Sequence, residues 1–315
     1  MGTRWGLLGA MGVFLLSSVT WGAEPVAVIT EIRTSQGQVQ VKRAGEAEWK
    51  APLPLLSLRP GDQVRAAGGG QAVLVFTGGR GTQVDSQAIS PFTVQAPAME
   101  SGGEKLQAVL ASVTQFLLGQ HKERTYQSLS TRSFRRSSLI LTPRETRLLP
   151  GSVTFEWAGS DQIRYAVRVL GPHGVVWEQT GLPRSPFAYP ASAPALQSGV
   201  SYTWELEARG EPVQRAQFEL VSADEAERLR TALNLLGAPS LPGYPGSTVV
   251  LMRAGFLFQE RLYHEARREL LGGIAIDPDE PTLHLLLGQV YERVGLKDQA
   301  AVEFDEAEFL SARKP

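Results

Sequence analysis

The sequence predicts a multidomain chain, mainly β in its first two thirds and α-helical in its last. Three observations carry that expectation. Apolar and polar residues alternate with period two in segments between residues 26 and 98, and again between 140 and 221. A 34-residue pattern of small and large residues at helical spacing runs through 247–280 and again through 281–314. Between the two β-rich stretches lie an amphipathic helical segment, 101–119, and a basic connector, 120–139.

The chain opens on a candidate export signal over residues 1–23. Arg4 supplies the positive start, Leu7 to Val19 the apolar run, and Gly22 and Ala23 small residues at a cleavage point. The alternative is an uncleaved anchor from Trp5 to Ala23, which would tether the chain to the membrane. Either reading places the body of the chain outside the cytoplasm, in the periplasm or otherwise exported. The 315 residues include no cysteine, which removes disulfides, thiolate metal sites and cysteine nucleophiles together. A formal net charge of −1 gives no global field for nucleic acid, and none is expected as a partner.

Over 26–98, alternation marks strands at Gln38–Lys42 and Ala72–Phe76, with later strands at Gln83–Asp85 and Phe92–Val94. Pro60-Gly61-Asp62 reads as a tight turn, and Gly68-Gly69-Gly70 and Gly78-Gly79-Arg80-Gly81 as hairpin turns. Gly37-x-Val39-x-Val41, Trp49, Leu58-x-Pro60-Gly61-Asp62-x-Val64 and Ala72-x-Leu74-x-Phe76 together resemble the FecR family. That resemblance implies a periplasmic β-domain.

In the 101–119 helix, Leu106, Val109, Leu110, Val113 and Leu117 share one face, which is expected to dock on the β-module. In the connector, Lys122, Arg124, Arg132, Arg135 and Arg136 against Glu123 give a net +4 among many serines and threonines, the composition of a flexible linker. Strands are expected at Ser152–Trp157, Arg164–Leu170, Gly174–Gln179, Val200–Ala208 and Gln217–Leu220. Pro143, Phe155-x-Trp157, Tyr165-x-Val167 and Leu196-x-x-Gly199-x-x-Tyr202-x-Trp204 resemble fibronectin type III-like modules, which implies a β-sandwich over 140–221.

The helical region spans 222–315. Ser222 and Glu225 form a capping box, and Ala226, Leu229, Leu233 and Leu236 form the buried stripe of the first helix. In the repeats, Ala254, Leu257, Ala266, Leu270 and Gly273 precede Gly288, Tyr291, Ala300, Phe304 and Ala307 by 34 residues each. This pattern resembles tetratricopeptide repeats, which implies paired antiparallel helices with a concave partner-binding groove. In that register the groove-lining candidates are Leu251, Gly255, Phe258 and Gln259, then Leu285, Gln289, Glu292 and Arg293. Phe258 is the candidate for an apolar contact and Arg293 for a carboxylate or backbone oxygen. Two repeats are few to stand alone, so the groove is either open or filled by the 222–236 helix or a neighbouring domain.

No nucleophile elbow, phosphate loop or metal-spaced histidine pair occurs in the sequence. His264 and His284 read as partly exposed structural residues on repeat helices, and Asp305-Glu306-x-Glu308 as a solvated face. The expectation is therefore a non-enzymatic envelope scaffold without cofactor or metal, binding a protein or peptide. The alternatives are a protein that binds peptidoglycan or another wall polysaccharide, and a periplasmic sensor or regulator of the FecR type. The short stretch ahead of Leu7 argues against the regulator.

Overall fold

The computed structural model describes residues 23–34, 37–87, 90–96, 104–120, 138–151, 153–183, 185–237, 241 and 243–312. The candidate signal up to Gly22 and the connector from 121 to 137 lie outside them. Small antiparallel sheets fill the first two thirds and five helices the last, with a sixth helix between the two β-rich regions.

The first region is built from β1 (Ala27–Arg33), β2 (Gln38–Lys42), β3 (Ser57–Leu58), β4 (Gln63–Ala67), β5 (Gln71–Phe76), β6 (Gly81–Asp85) and β7 (Phe92–Thr93). They form two sheets, ordered β3-β1-β5-β6 and β2-β4-β7. Val39, Val41, Val64 and Ala66 from the small sheet meet Ile29, Ala72, Leu74 and Phe76 from the larger one in a shared core. The turn at Pro60 is as read. Gly61 sits at φ +91, Asp62 N–H bonds Arg59 O, and the buried Asp62 carboxylate accepts from the backbone N–H groups of Ala44 and Arg59. Gly78-Gly79 closes the β5–β6 hairpin, with Gly79 at φ +77. The expectation for Gly68–Gly70 is corrected. These residues carry the chain from one sheet to the other, because β4 and β5 pair with different strands.

Strand β1 does not alternate, because it is covered on both sides. Val28 joins Leu55 and Val75 in the helical core, while Ala27 and Ile29 face the other sheet. A β-bulge interrupts its pairing with β5 between Ile29 and Glu31. The extra residue leaves Thr30 and Glu31 both available to the helices packed beyond.

Helix α1 (Glu104–Leu118) follows, then eight strands: β8 (Leu139–Thr142), β9 (Thr146–Leu148), β10 (Thr154–Ala158), β11 (Tyr165–Gly171), β12 (Gly174–Leu182), β13 (Phe187–Ala188), β14 (Ser201–Ala208) and β15 (Gln214–Leu220). Sheets ordered β13-β10-β8 and β12-β11-β14-β15-β9 face one another across an aromatic core of Phe155, Trp157, Tyr165, Trp204 and Phe218. Trp204 is fully buried, and its indole N–H donates to Pro143 O at 2.6 Å. The short strands β8, β9 and β13 are additions to the expected set. β9 pairs in parallel with β15, a long-range partnership with no local sequence signal.

Helix α2 (Ala223–Leu235) begins as expected, with Ser222 Oγ accepting from Glu225 N–H. Two hairpins complete the chain: α3 (Gly246–Gln259) with α4 (Tyr263–Ile276), and α5 (Pro281–Arg293) with α6 (Lys297–Ala312). The 34-residue period recurs in the backbone itself. Arg261 N–H bonds Phe258 O and Leu262 N–H bonds Leu257 O; one period on, Gly295 bonds Glu292 O and Leu296 bonds Tyr291 O. The residue at each turn has positive φ, Arg261 at +61 and Gly295 at +80. Small residues let the helices touch. A Cβ on Gly288 would lie 2.5 Å from the Phe304 ring, and one on Gly273 2.7 Å from Val250. No helix among the described residues is long and apolar enough to cross a membrane.

Candidate interaction surfaces

The groove predicted on the repeats is occupied by α1. Val113 and Leu117, both fully buried, close over Gly255, whose missing side chain makes the approach possible. The Phe116 ring packs 5.2 Å from that of Phe258, which also meets Tyr263 edge-on at 5.2 Å. Ser112 accepts from Gln259 Nε2 at 3.0 Å. Gln289 Nε2 donates to Gln120 O at 3.2 Å. Leu251 is fully buried and Leu285 packs at the edge of the same core. Arg293 donates to the Tyr263 hydroxyl, and Glu292 is exposed at the rim. The candidate residues therefore lie against their own chain or at its edge. The element against Gly255, Phe258 and Gln259 is α1; the 222–236 helix belongs to the same core and reaches α3 where Leu233 O accepts from Arg253.

The opposite side of α1 rests on the first sheet. Leu110 lies 3.0 Å from where a Cβ on Gly79 would sit, and Leu118 O accepts from Ser57 Oγ at 2.9 Å. The helix is thus wedged between β-module and hairpins. Burying Leu110, Val113 and Leu117 there is worth about 1.5–3 kcal/mol each. The amphipathic pattern was visible in the sequence; that a second layer would cover it was not. The small residue at 255, on the predicted concave face, is the one sequence signal of a close neighbour.

A second junction forms where the β1 bulge meets the first turns of α3 and α5. Thr30 Oγ lies 3.2 Å from Thr248 Oγ, and Thr30 O accepts from Thr282 Oγ at 2.9 Å. Glu31 accepts from Thr248 Oγ and pairs with Arg33, whose guanidinium also reaches Asp277 at 2.9 Å. Glu280 caps α5, accepting from Thr282 N–H with one carboxylate oxygen and from Ile32 N–H with the other. Its burial, with the nearby Glu31 charge, pushes its pKa up to about 8 in spite of those donors. Oxygens of Glu31, Asp277 and Glu280 come within 4.8 Å of one another, a spacing compatible with a cation. Arg33 already neutralises two of these carboxylates from within the chain, so the cluster reads as a structural joint.

The third junction fixes the aromatic-cored sheets to α4. Arg147 N–H bonds Arg261 O, Leu149 N–H bonds Glu265 Oε1, and Arg267 pairs with Glu156 at 2.9 Å. The Thr142 hydroxyl lies 2.8 Å from His264 Nδ1. Burial, with Arg268 and Arg267 nearby, takes the His264 pKa down to about 4, so the ring is neutral at pH 7. His284 is more enclosed than expected, at 8% exposure, and its ring contacts Glu303 and Pro278 O. Burial opposes its charge, yet those acceptors outweigh burial and raise its pKa. Asp305, Glu306 and Glu308 are exposed, as read.

On the far side of the first region, the outer face of β2-β4-β7 carries Gln40, Lys42, Gln63 and Arg65. The isolated bridge between Val41 and Lys50 brings Trp49 beside them. The Arg65 guanidinium lies 4.2 Å and the Lys42 ammonium 5.2 Å from the indole centroid.

Comparison with protein-family models and with curated proteins finds no match to this chain.

Proposed function

We propose that the chain is an exported, non-enzymatic scaffold of the bacterial envelope that binds a protein partner through its outer surfaces. The carrying observation is the α1 wedge, with Val113 and Leu117 seated on Gly255 and Leu110 seated on Gly79. It joins β-module and hairpins into one body and leaves the concave side of the hairpins unavailable. The reading of the parts as a FecR-like domain, a fibronectin III-like sandwich and two tetratricopeptide-like hairpins is supported by their strand layout and by the 34-residue recurrence of turn geometry. A buried joint at Thr30–Thr282 and a half-buried one at Arg267–Glu156 tie these parts together, which suits a protein that orients partners.

Site-specific photo-cross-linking in the host tests this. Photoreactive residues at Val302 and Phe309, which are 65% and 61% exposed, are expected to give a discrete adduct with a second protein. One at Phe258 is expected to give only intramolecular products with α1. Discrete intermolecular adducts from Phe258 would return the groove to the role of binding site. No adduct from any outer position would end the scaffold reading.

A further inference from the structure

We propose that the solvent-facing stripe of α6 formed by Val302 and Phe309 docks a cationic amphipathic helix of a partner protein. This deepens the scaffold reading above by naming a surface and the chemistry of its partner, and rests on that reading for the existence of a protein partner. The stripe follows from the helical period. Ala300, Phe304, Ala307 and Leu310 form the buried side of α6, whereas Val302 and Phe309 are 65% and 61% exposed. Seven residues apart, these two project the same way, about 10 Å from one another along the axis. Packing of the repeats does not require them to be apolar. The positions 34 residues earlier are Arg268 and Ala275, both exposed on α4. A valine and a large aromatic ring thus stand in water where the first hairpin has a cation and a methyl group.

The charges around the stripe select its occupant. Helix α6 carries five carboxylates against one lysine, Lys297. At about 100° per residue, Asp298, Asp305 and Glu306 fall within about 60° of the Val302–Phe309 line, on both sides of it. All three are exposed. Lys297 falls well away from the line, about 130° round the helix. A second copy of α6 would set these acids against their equals, and an anionic membrane would meet the same repulsion. An added strand finds no edge here, because the backbone within a helix bonds to itself. A helix can lay its side-chain rows between Val302 and Phe309. Lysines or arginines on either side of its apolar residues would then meet the acids of α6.

Titration of the full chain with labelled synthetic helices, read by fluorescence anisotropy, tests the assignment. The probe carries leucines along one face and lysines on either side of them. One control has glutamates in place of the lysines; the other keeps the composition but scatters the leucines round the helix. The lysine probe is expected to bind, and each control to bind more weakly by about tenfold or more. Val302→Gln with Phe309→Gln should weaken the probe about tenfold. Asp305→Asn with Glu306→Gln should weaken it and flatten its salt dependence. These four side chains are exposed, so both double variants should keep their unfolding temperature. If either variant loses it, the three probes on the native sequence carry the test. No binding of the lysine probe, equal binding of either control, or unchanged binding by a folded Val302→Gln, Phe309→Gln variant would each overturn the proposal. So would a dimer, seen by sedimentation, that this variant dissolves, since the stripe would then belong to a second copy. Cross-linked adducts at Val302 and Phe309 would keep the scaffold reading alive through any of the binding failures, so the two failures are separable.

Discussion

The Phe116 ring of α1 packs tilted against that of Phe258 of α3, 5.2 Å between centroids, and through that contact the middle of the chain covers part of the first C-terminal hairpin. A residue read from the sequence as a partner contact thus has its partner within the same chain.

Phe258→Glu should therefore destabilise the protein. The change removes contacts with Phe116 and Tyr263 and sets a charge beside α1. The expected cost is about 2–4 kcal/mol. For a chain of this size that lowers the unfolding temperature by roughly 5–10 °C. Calorimetry checks it; an unchanged transition would mean that α1 does not rest on Phe258.

The joint at the β1 bulge makes stability depend on pH through Glu280. Its folded pKa of about 8 lies above its ordinary value of 4.5. The folded state therefore holds the proton more tightly, and the resulting stabilisation is complete below about 4.5 and lost as pH rises to about 8. Denaturant titrations at intervals from pH 5 to 8 should show this decline, and Glu280→Gln should flatten it.

His264 acts in the opposite direction. Its folded pKa of about 4 lies below the ordinary 6.5, so the neutral ring stabilises the fold above 6.5, and that contribution disappears as pH falls towards 4. His264→Gln can keep a bond to Thr142 and should remove this acid-side slope, while leaving the Glu280 slope in place. Equal acid-side slopes in the two proteins would remove His264 as the cause.

Gly288→Ala should be costly although alanine favours helices. The new methyl would come within 2.5 Å of the Phe304 ring, inside the α5–α6 contact. A loss of about 1–3 kcal/mol is expected. The same change at Gly272, which has open space around it, should be neutral or stabilising.

What was legible in the sequence is what local chemistry dictates. Ser222 capped its helix, Pro60-Gly61-Asp62 made its turn, and Ala266 and Ala300 took equivalent buried places one period apart. What was not legible depends on layers. Strand β1 gives no alternation because both its faces are covered, and the bulge at Thr30 shifts its register. The Gly68–Gly70 turn looked like a hairpin because no local signal says which sheet the next strand will join. The groove residues were placed on the concave face, but the helix that fills it lies more than a hundred residues earlier in the chain.

The absence of native cysteine permits the most direct test of the α1 wedge. Cysteines placed at Ser112 and Gln259, whose side chains meet at 3.0 Å and are solvent-accessible, can be joined by a short thiol-specific bridging reagent. With α1 seated in the groove, the folded double variant should bridge within one molecule nearly completely, and the denatured one should not. A folded double variant that reacts at both thiols without bridging would place α1 outside the groove and contradict the account.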